Sequence, residues 1–234
     1  MELNADFSKR VAVDAAEIPW KSSPIVGVDR RMLDRIGDEV ARATTIVRFA
    51  PNSHFSAHTH GGGEEFLVLD GVFQDEHGEY PAGCYVRNPP TSAHTPRSDD
   101  GCVILVKLWQ FDPTDRQQVR IDTEALEASP DPERPGIASL ALYADDHEQV
   151  EIQNWAPDSG MLLDAPHGLE LFVLAGELRA AAQVSAQPLA EHAWLRLPAG
   201  DRLRLDAGPQ GARVWIKRGH LLEPRGLNPS AARP

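Results

Sequence analysis

The chain has 234 residues, 41% hydrophobic and 25% charged, enough for one or two domains that each bury a core. Its 23 basic and 35 acidic residues give a formal charge of −12, which argues against direct binding to nucleic acid or to an anionic membrane. Two cysteines without CxxC spacing, Cys84 and Cys102, and an N-terminus without an apolar signal core lead us to expect a reduced cytoplasmic protein with no transmembrane span.

Residues 1–9 are polar and read as a loose start. Short alternating runs at Arg10–Asp14 and Ile25–Leu33 are separated by Ile18-Pro19-Trp20-Lys21-Ser22-Ser23-Pro24, and Val40–Phe49 is a strand rich in β-branched residues. His58-Thr59-His60 follows. On a strand, residues two apart share a face, so His58 and His60 aim at one point. Gly61-Gly62-Gly63 lets the backbone turn and bring Glu64 toward the same point, at the head of the apolar strand Phe66-Leu67-Val68-Leu69 that runs to Gly71. Cys84–Arg87 reads as a further strand feeding the Pro89-Pro90 turn, which delivers His94, and Cys102–Phe111 as a long apolar strand. Strand after strand with turn residues between them favours a sandwich or barrel over an α/β fold.

These residues resemble the two motifs of the cupins. HxH-x3-E-x6-G is matched by His58, His60, Glu64 and Gly71, and PxGxxH by Pro89 and His94, with Thr91 where the family has glycine. Within the cupins, residues 62–73, Tyr85–Pro90 and Val106–Leu108 are similar to the C-terminal domain of ChrR-type anti-sigma factors, a likeness close over about residues 10–112. The resemblance implies a small antiparallel barrel holding one divalent metal per chain on His58, His60, Glu64 and His94, with room for a small-molecule ligand beside it. Three imidazoles and a carboxylate do not select a metal by softness. Zn and Fe are the first expectations, with Mn or Ni also permitted.

The second half repeats the first. Glu65–Gly71 recurs as Glu170–Gly176, Val86–Pro89 as Leu195–Pro198, Val106-Lys107 as Ile216-Lys217, and Val11–Asp14 as Val119–Asp122. One repeat per barrel length implies two tandem cupin barrels: a metal-binding domain over 1–115, a degenerate one over 116–222, and a flexible tail at 223–234. Aligned through Gly176 and Pro198-Ala199-Gly200, the four ligand positions hold Asp164, Pro166, Leu169 and Leu203, so no second metal is expected.

Cys84 and Cys102 read as core residues, with Cys84 also open to a redox role; Lys107, Arg87 and Arg196, present in both halves or echoed there, read as structural. His77, His147, His192 and His220 have no partner spacing and read as surface residues. In ChrR-type proteins the cupin responds to oxidative signals, and a separate helical domain with a His/Cys/Cys zinc cluster grips the sigma factor. That cluster has no counterpart here, so the resemblance implies a stand-alone stress sensor or regulatory protein. The alternative is an Fe(II)-dependent cupin dioxygenase acting on a small chelating substrate such as a diketone. Paired barrels leave sheet edges that closed assemblies cover, and a homodimer is expected.

Overall fold

The structure, a computed structural model, describes residues 1–180 and 187–227. It is all-β, 57% strand with no helix, as the alternating runs and turn residues lead one to expect. No helix among the described residues is long and apolar enough to cross a membrane.

The chain divides into two compact units. One holds residues 1–5, 19–125 and the described residues from 224 on; the other holds 6–18 and 126–223. In the first unit the sheet runs Glu2–Leu3, Val28–Gly37, Ala41–Phe49, Cys102–Leu108, Glu64–Asp75, Cys84–Asn88, Val119–Asp122, all neighbours antiparallel. In the second it runs Ser129–Pro130, Ile137–Ala144, Gln149–Trp155, Asp201–Arg218, Leu169–Ala180, Ala193–Leu197, Val11–Asp14.

The repeated strands Val11–Asp14 and Val119–Asp122 therefore take the same place in each unit, but each serves the other half of the sequence. Val119–Asp122 pairs with Cys84–Asn88 and Val11–Asp14 with Ala193–Leu197. A boundary at 115/116 is not where the structure divides, because main-chain pairing carries the first unit on to Ala125. Described residues near each end of the sequence are hydrogen-bonded to the first unit. Glu2 and Leu3 pair with Ile36 and Arg35. At the other end the Arg225 carbonyl accepts a hydrogen bond from the Arg42 guanidinium at 3.0 Å, while residues 228–234 of the expected tail lie outside the described residues.

Strict alternation along Glu64–Asp75 sorts its side chains. Phe66 and Val68 join Val47, Phe49, Ile104 and Val106 in the core of the first unit, so Glu64 shares their face and Glu65 takes the other. Phe73 belongs to the same core although its parity is opposite to that of Phe66. The phase changes at a bulge where Leu69 is passed over between Val68 and Asp70, and past Gly71, at φ 70°, the strand leaves Cys102–Leu108 and pairs with Gly78–Pro81. A Cβ at Gly71 would sit 2.1 Å from the Gly101 carbonyl oxygen, and at its counterpart Gly176 2.2 Å from that of Gly211. Trp109, at φ 61°, ends the apolar strand at Leu108, short of the expected Phe111.

Gly71→Ala is expected to destabilise the protein by about 2 kcal/mol or more, since a left-handed backbone and a backbone clash coincide. Gly176→Ala should cost a similar amount, and urea unfolding of the two variants measures both.

Candidate metal centre

Three imidazoles meet at one end of the first unit. His58 and His94 face each other across the two-residue pairing of His58-Thr59 with Ala93-His94, and His60 follows on the next turn. Their ring centroids are 4.6–5.1 Å apart, and their ligating nitrogens lie within 4.8 Å of one another. Glu64 Oε2 lies 3.4 Å from His60 Nε2 and 3.5 Å from His94 Nε2, so the expected fourth residue adjoins two of the three histidines.

The partners of the other ring nitrogens fix the tautomers. His58 Nδ1 lies 3.0 Å from the Ser56 carbonyl oxygen, which can only accept. His94 Nδ1 lies 3.1 Å from Asp75 Oδ2, a carboxylate oxygen. His60 Nδ1 lies 3.0 Å from Ser92 Oγ, whose own proton is donated to the Pro89 carbonyl at 2.6 Å. In each ring Nδ1 must carry the proton, which leaves the Nε2 lone pair for a cation. His60 Nε2 and His94 Nε2 are buried and make no hydrogen bond to a described residue, and their 3.4 and 3.5 Å separations from Glu64 are longer than an ordinary hydrogen bond. Two desolvated lone pairs beside a carboxylate suit a divalent metal, whose ligands lie about 2.0–2.2 Å from the ion. The residues present fit such an ion.

Electrostatics supports this reading. Burial lowers the pKa of His60 against the pull of Glu64, so that ring is held neutral. For His94 burial acts in the same direction but is outweighed by the hydrogen bond to Asp75 and by the charges of Glu64, Asp75 and Glu76, and the pKa rises. The same carboxylates that attract a proton to His94 attract a metal cation in its place. Asp75, despite its own burial, is kept below the ordinary carboxylate range by His94, by the amide of His77 and by Tyr80.

The Gly61-Gly62-Gly63 turn has a further reason beyond tightness. The Trp109 ring lies against it, so a Cβ at Gly62 would fall 2.4 Å from that ring, and one at Gly63 would fall 2.4 Å from the Phe111 ring. Thr91, in the place of the motif glycine, has φ 77°, while its counterpart Gly200 has φ 82°. The strained threonine is held by its amide, which donates to the His60 carbonyl at 2.9 Å.

Asp75, Asn88 and Ser92 are the site residues that motif spacing misses. Asn88 donates to Glu64 Oε2 at 3.2 Å and orients it. Asp75 lies eleven residues after Glu64 on one strand. Alternation alone would put it on the opposite face, and only the bulge at Leu69 brings it inward. Glu65 is not at the centre: it accepts from the Tyr85 hydroxyl at 2.6 Å and lies 3.9 Å from Arg87. Lys107 is likewise buried, donating to Thr44. Cys84 and Cys102 are buried in the core, where desolvation raises both thiols, that of Cys102 to about 11; a redox role for Cys84 finds no support in such a thiol.

In the second unit the register corrects the expected equivalences. Leu203 pairs with Leu163, as His94 pairs with His58, and the Ala165 carbonyl accepts from Gly200 as that of His60 does from Thr91. The counterparts of His58 and His60 are thus Leu163 and Ala165 rather than Asp164 and Pro166. Leu163, Ala165, Leu169 and Leu203 all lie in the apolar core of that unit. His220, expected at the surface, is buried there, with Nε2 3.0 Å from Glu170.

The metal centre of the first unit opens on a cavity of about 400 Å³ walled by Val47, Phe49, Phe55, Ile104, Val106 and Trp109. An antiparallel all-β fold that brings an HxH pair, a glutamate and a later histidine together beside such a chamber is the arrangement the cupin motifs imply. Residues 8–112 match the ChrR cupin-like domain. Solved structures agree on the fold. A Nostoc punctiforme protein provisionally named a dioxygenase superposes with TM-score 0.75 at 13% identity, over 92% of this chain and 85% of that one. Protein Ylba of E. coli gives 0.66 at 15% identity, over 91% and 92%. A cupin 2 conserved barrel domain protein of Leptotrichia buccalis gives 0.61 at 13%, over 89% and 96%. No curated protein matches the chain in sequence.

Thr91→Gly is expected to raise stability by about 1 kcal/mol, the relief of a left-handed β-branched residue less the added freedom of glycine in the unfolded chain. A rise in the urea midpoint of the variant is the check.

Proposed function

We propose that this protein is a one-metal cupin in which His58, His60, Glu64 and His94 hold a divalent ion that a small molecule reaches through the cavity, and that its chemistry is that of an Fe(II)-dependent dioxygenase. The observation that carries this reading is the chamber itself. A purely structural ion needs no access, whereas here His58, His60 and Glu64 line a walled space of about 400 Å³. When bound, ferrous iron would supply redox chemistry with dioxygen and polarise a chelating ligand.

The chain's own residues do the rest. Ser56, Ser92 and Asp75 hold the three rings by their Nδ1 protons, and Asn88 holds Glu64, so the four donors are oriented before an ion arrives. Phe49, Phe55 and Phe73 exclude water from the approach and offer flat apolar contact to a ligand. A stress-sensor role, favoured by the match of residues 8–112 to the ChrR cupin-like domain, is the second reading; there the same site would report a signal rather than turn over. We also propose a second cupin barrel kept for structure, on the strength of the sequence repeat, and a homodimer that covers exposed sheet edges.

Natively purified protein should carry one metal per chain by plasma-source mass spectrometry. After anaerobic loading with Fe²⁺, one member of a diketone panel should give steady O₂ uptake that His94→Ala abolishes; a loaded protein that consumes no O₂ with any of them would favour the sensor. Asp75→Asn, which keeps an acceptor for Tyr80 but removes the charge behind His94, should weaken metal binding about 10–100-fold, measured by competition with a chelating dye.

A further inference from the structure

Arg30 stands out among the residues that line the metal-centred cavity. It lies on the strand Val28–Gly37, paired in register with Val47, and shares the inward face with Val28. Its side chain is only 23% exposed, yet its one charged partner among the described residues is Glu39, 3.8 Å away and itself 71% exposed. That is an ion pair at the edge of contact with a solvated carboxylate, worth little and easily exchanged. A guanidinium carries five donors in a planar fork. Here none of them makes a hydrogen bond to a described residue, and none is sealed from solvent or cavity.

Apart from Arg30, the metal centre, Ser23, Thr59 and Glu39, the side chains lining the cavity are apolar. Val28, Val47, Phe49, Phe55, Ile104 and Val106 contribute no polar side-chain atom. The three phenylalanines around the chamber touch in sequence: Phe55 to Phe49 at 5.3 Å between ring centroids, and Phe49 edge-on to Phe73 at 5.6 Å. Phe55 and Phe73 in turn approach His58 at 6.0 Å and His94 at 5.9 Å, so the aromatic wall reaches the metal centre. Aromatic walls favour a flat ring stacked offset or edge-on.

We infer that the cavity takes a small aromatic carboxylate, its ring against Phe49, Phe55 and Phe73 and its carboxylate held by the Arg30 fork. The inference rests on the reading of this chamber as the ligand site of the metal centre and adds the class of ligand. Arg30 is its specificity-determining residue. A bidentate guanidinium–carboxylate contact, half shielded from water, replaces the weak link to Glu39 and discriminates against neutral analogues of the same shape. Glu39 then returns to solvent at little cost, because it is already mostly exposed.

The test is calorimetric titration of full-length, zinc-loaded protein with 3-phenylpropanoate and with 3-phenylpropanamide, which differ in charge but hardly in shape. The carboxylate is expected to bind at least about 10-fold more tightly than the amide, the scale of one charge-assisted contact. Arg30→Gln should abolish that difference while the metal content stays at one per chain, and Phe55→Ala should weaken both ligands together. Equal affinity for the two ligands in the wild type, a preference that survives in Arg30→Gln, or no binding of either overturns the inference. Metal analysis of the same samples separates it from the reading on which it rests: protein that holds no metal but still prefers the carboxylate through Arg30 overturns the metal centre and upholds the ligand class. Protein that holds one metal and shows no preference does the reverse.

Discussion

The first unit is arranged around two imidazole nitrogens that bond to no described residue. His60 Nε2 and His94 Nε2 are withdrawn from water, their tautomers are set by Ser92 and Asp75, and the nearby Glu64 stands farther off than an ordinary hydrogen bond. Buried acceptors left in this state are costly, and a cation between them offsets the cost. The bulge at Leu69, the strained Thr91 and the glycine turn beneath Trp109 all serve to keep these donors together. A site fixed before its ion arrives loses little entropy on binding and retains its geometry when a ligand enters.

The second unit shows what the same backbone does without that demand. Leu163, Ala165, Leu169 and Leu203 occupy the four positions and pack into one continuous apolar core with Leu171, Leu195 and Leu205. Nothing there requires satisfaction by an ion. Alternation still operates, and a buried glutamate persists on the opposite face in both units: Glu65 with Tyr85 and Arg87, Glu170 with Trp194 and His220. The carboxylate that distinguishes the two units is thus Glu64, one residue away from a pair they share.

Much of this could be read from the sequence, because its strongest signals are local. An HxH pair, a glutamate four residues on and a glycine seven beyond that act through strand period and turn conformation, and such short-range rules carry directly from residues to geometry. The residues that orient the ligands were not legible in that way. Asp75 reaches His94 only because a bulge reverses the face of its strand, and Ser92 reaches His60 across a turn. In the second half the sequence places the register one residue off, at Asp164 and Pro166 instead of Leu163 and Ala165. Without ligands there is no motif to pin a turn, and only the pairing of Leu163 with Leu203 settles it. His220 read as a surface residue because its partner Glu170 lies far away in sequence.

The traded strands bear on how the chain can be made. Val119–Asp122 must emerge before the first sheet gains its last strand, and Val11–Asp14 must wait for Ala193–Leu197, far later in the sequence. Until then the nascent polypeptide carries an unfilled sheet edge and an unspent strand at once, a state prone to pair with a neighbouring chain. Closing the second unit joins Val11 to Arg196 across nearly the whole sequence, a contact whose loop-closure entropy must be met late and slowly. Synthesis of Ala193–Leu197, rather than completion of one half at a time, sets the earliest moment at which the second sheet can be whole.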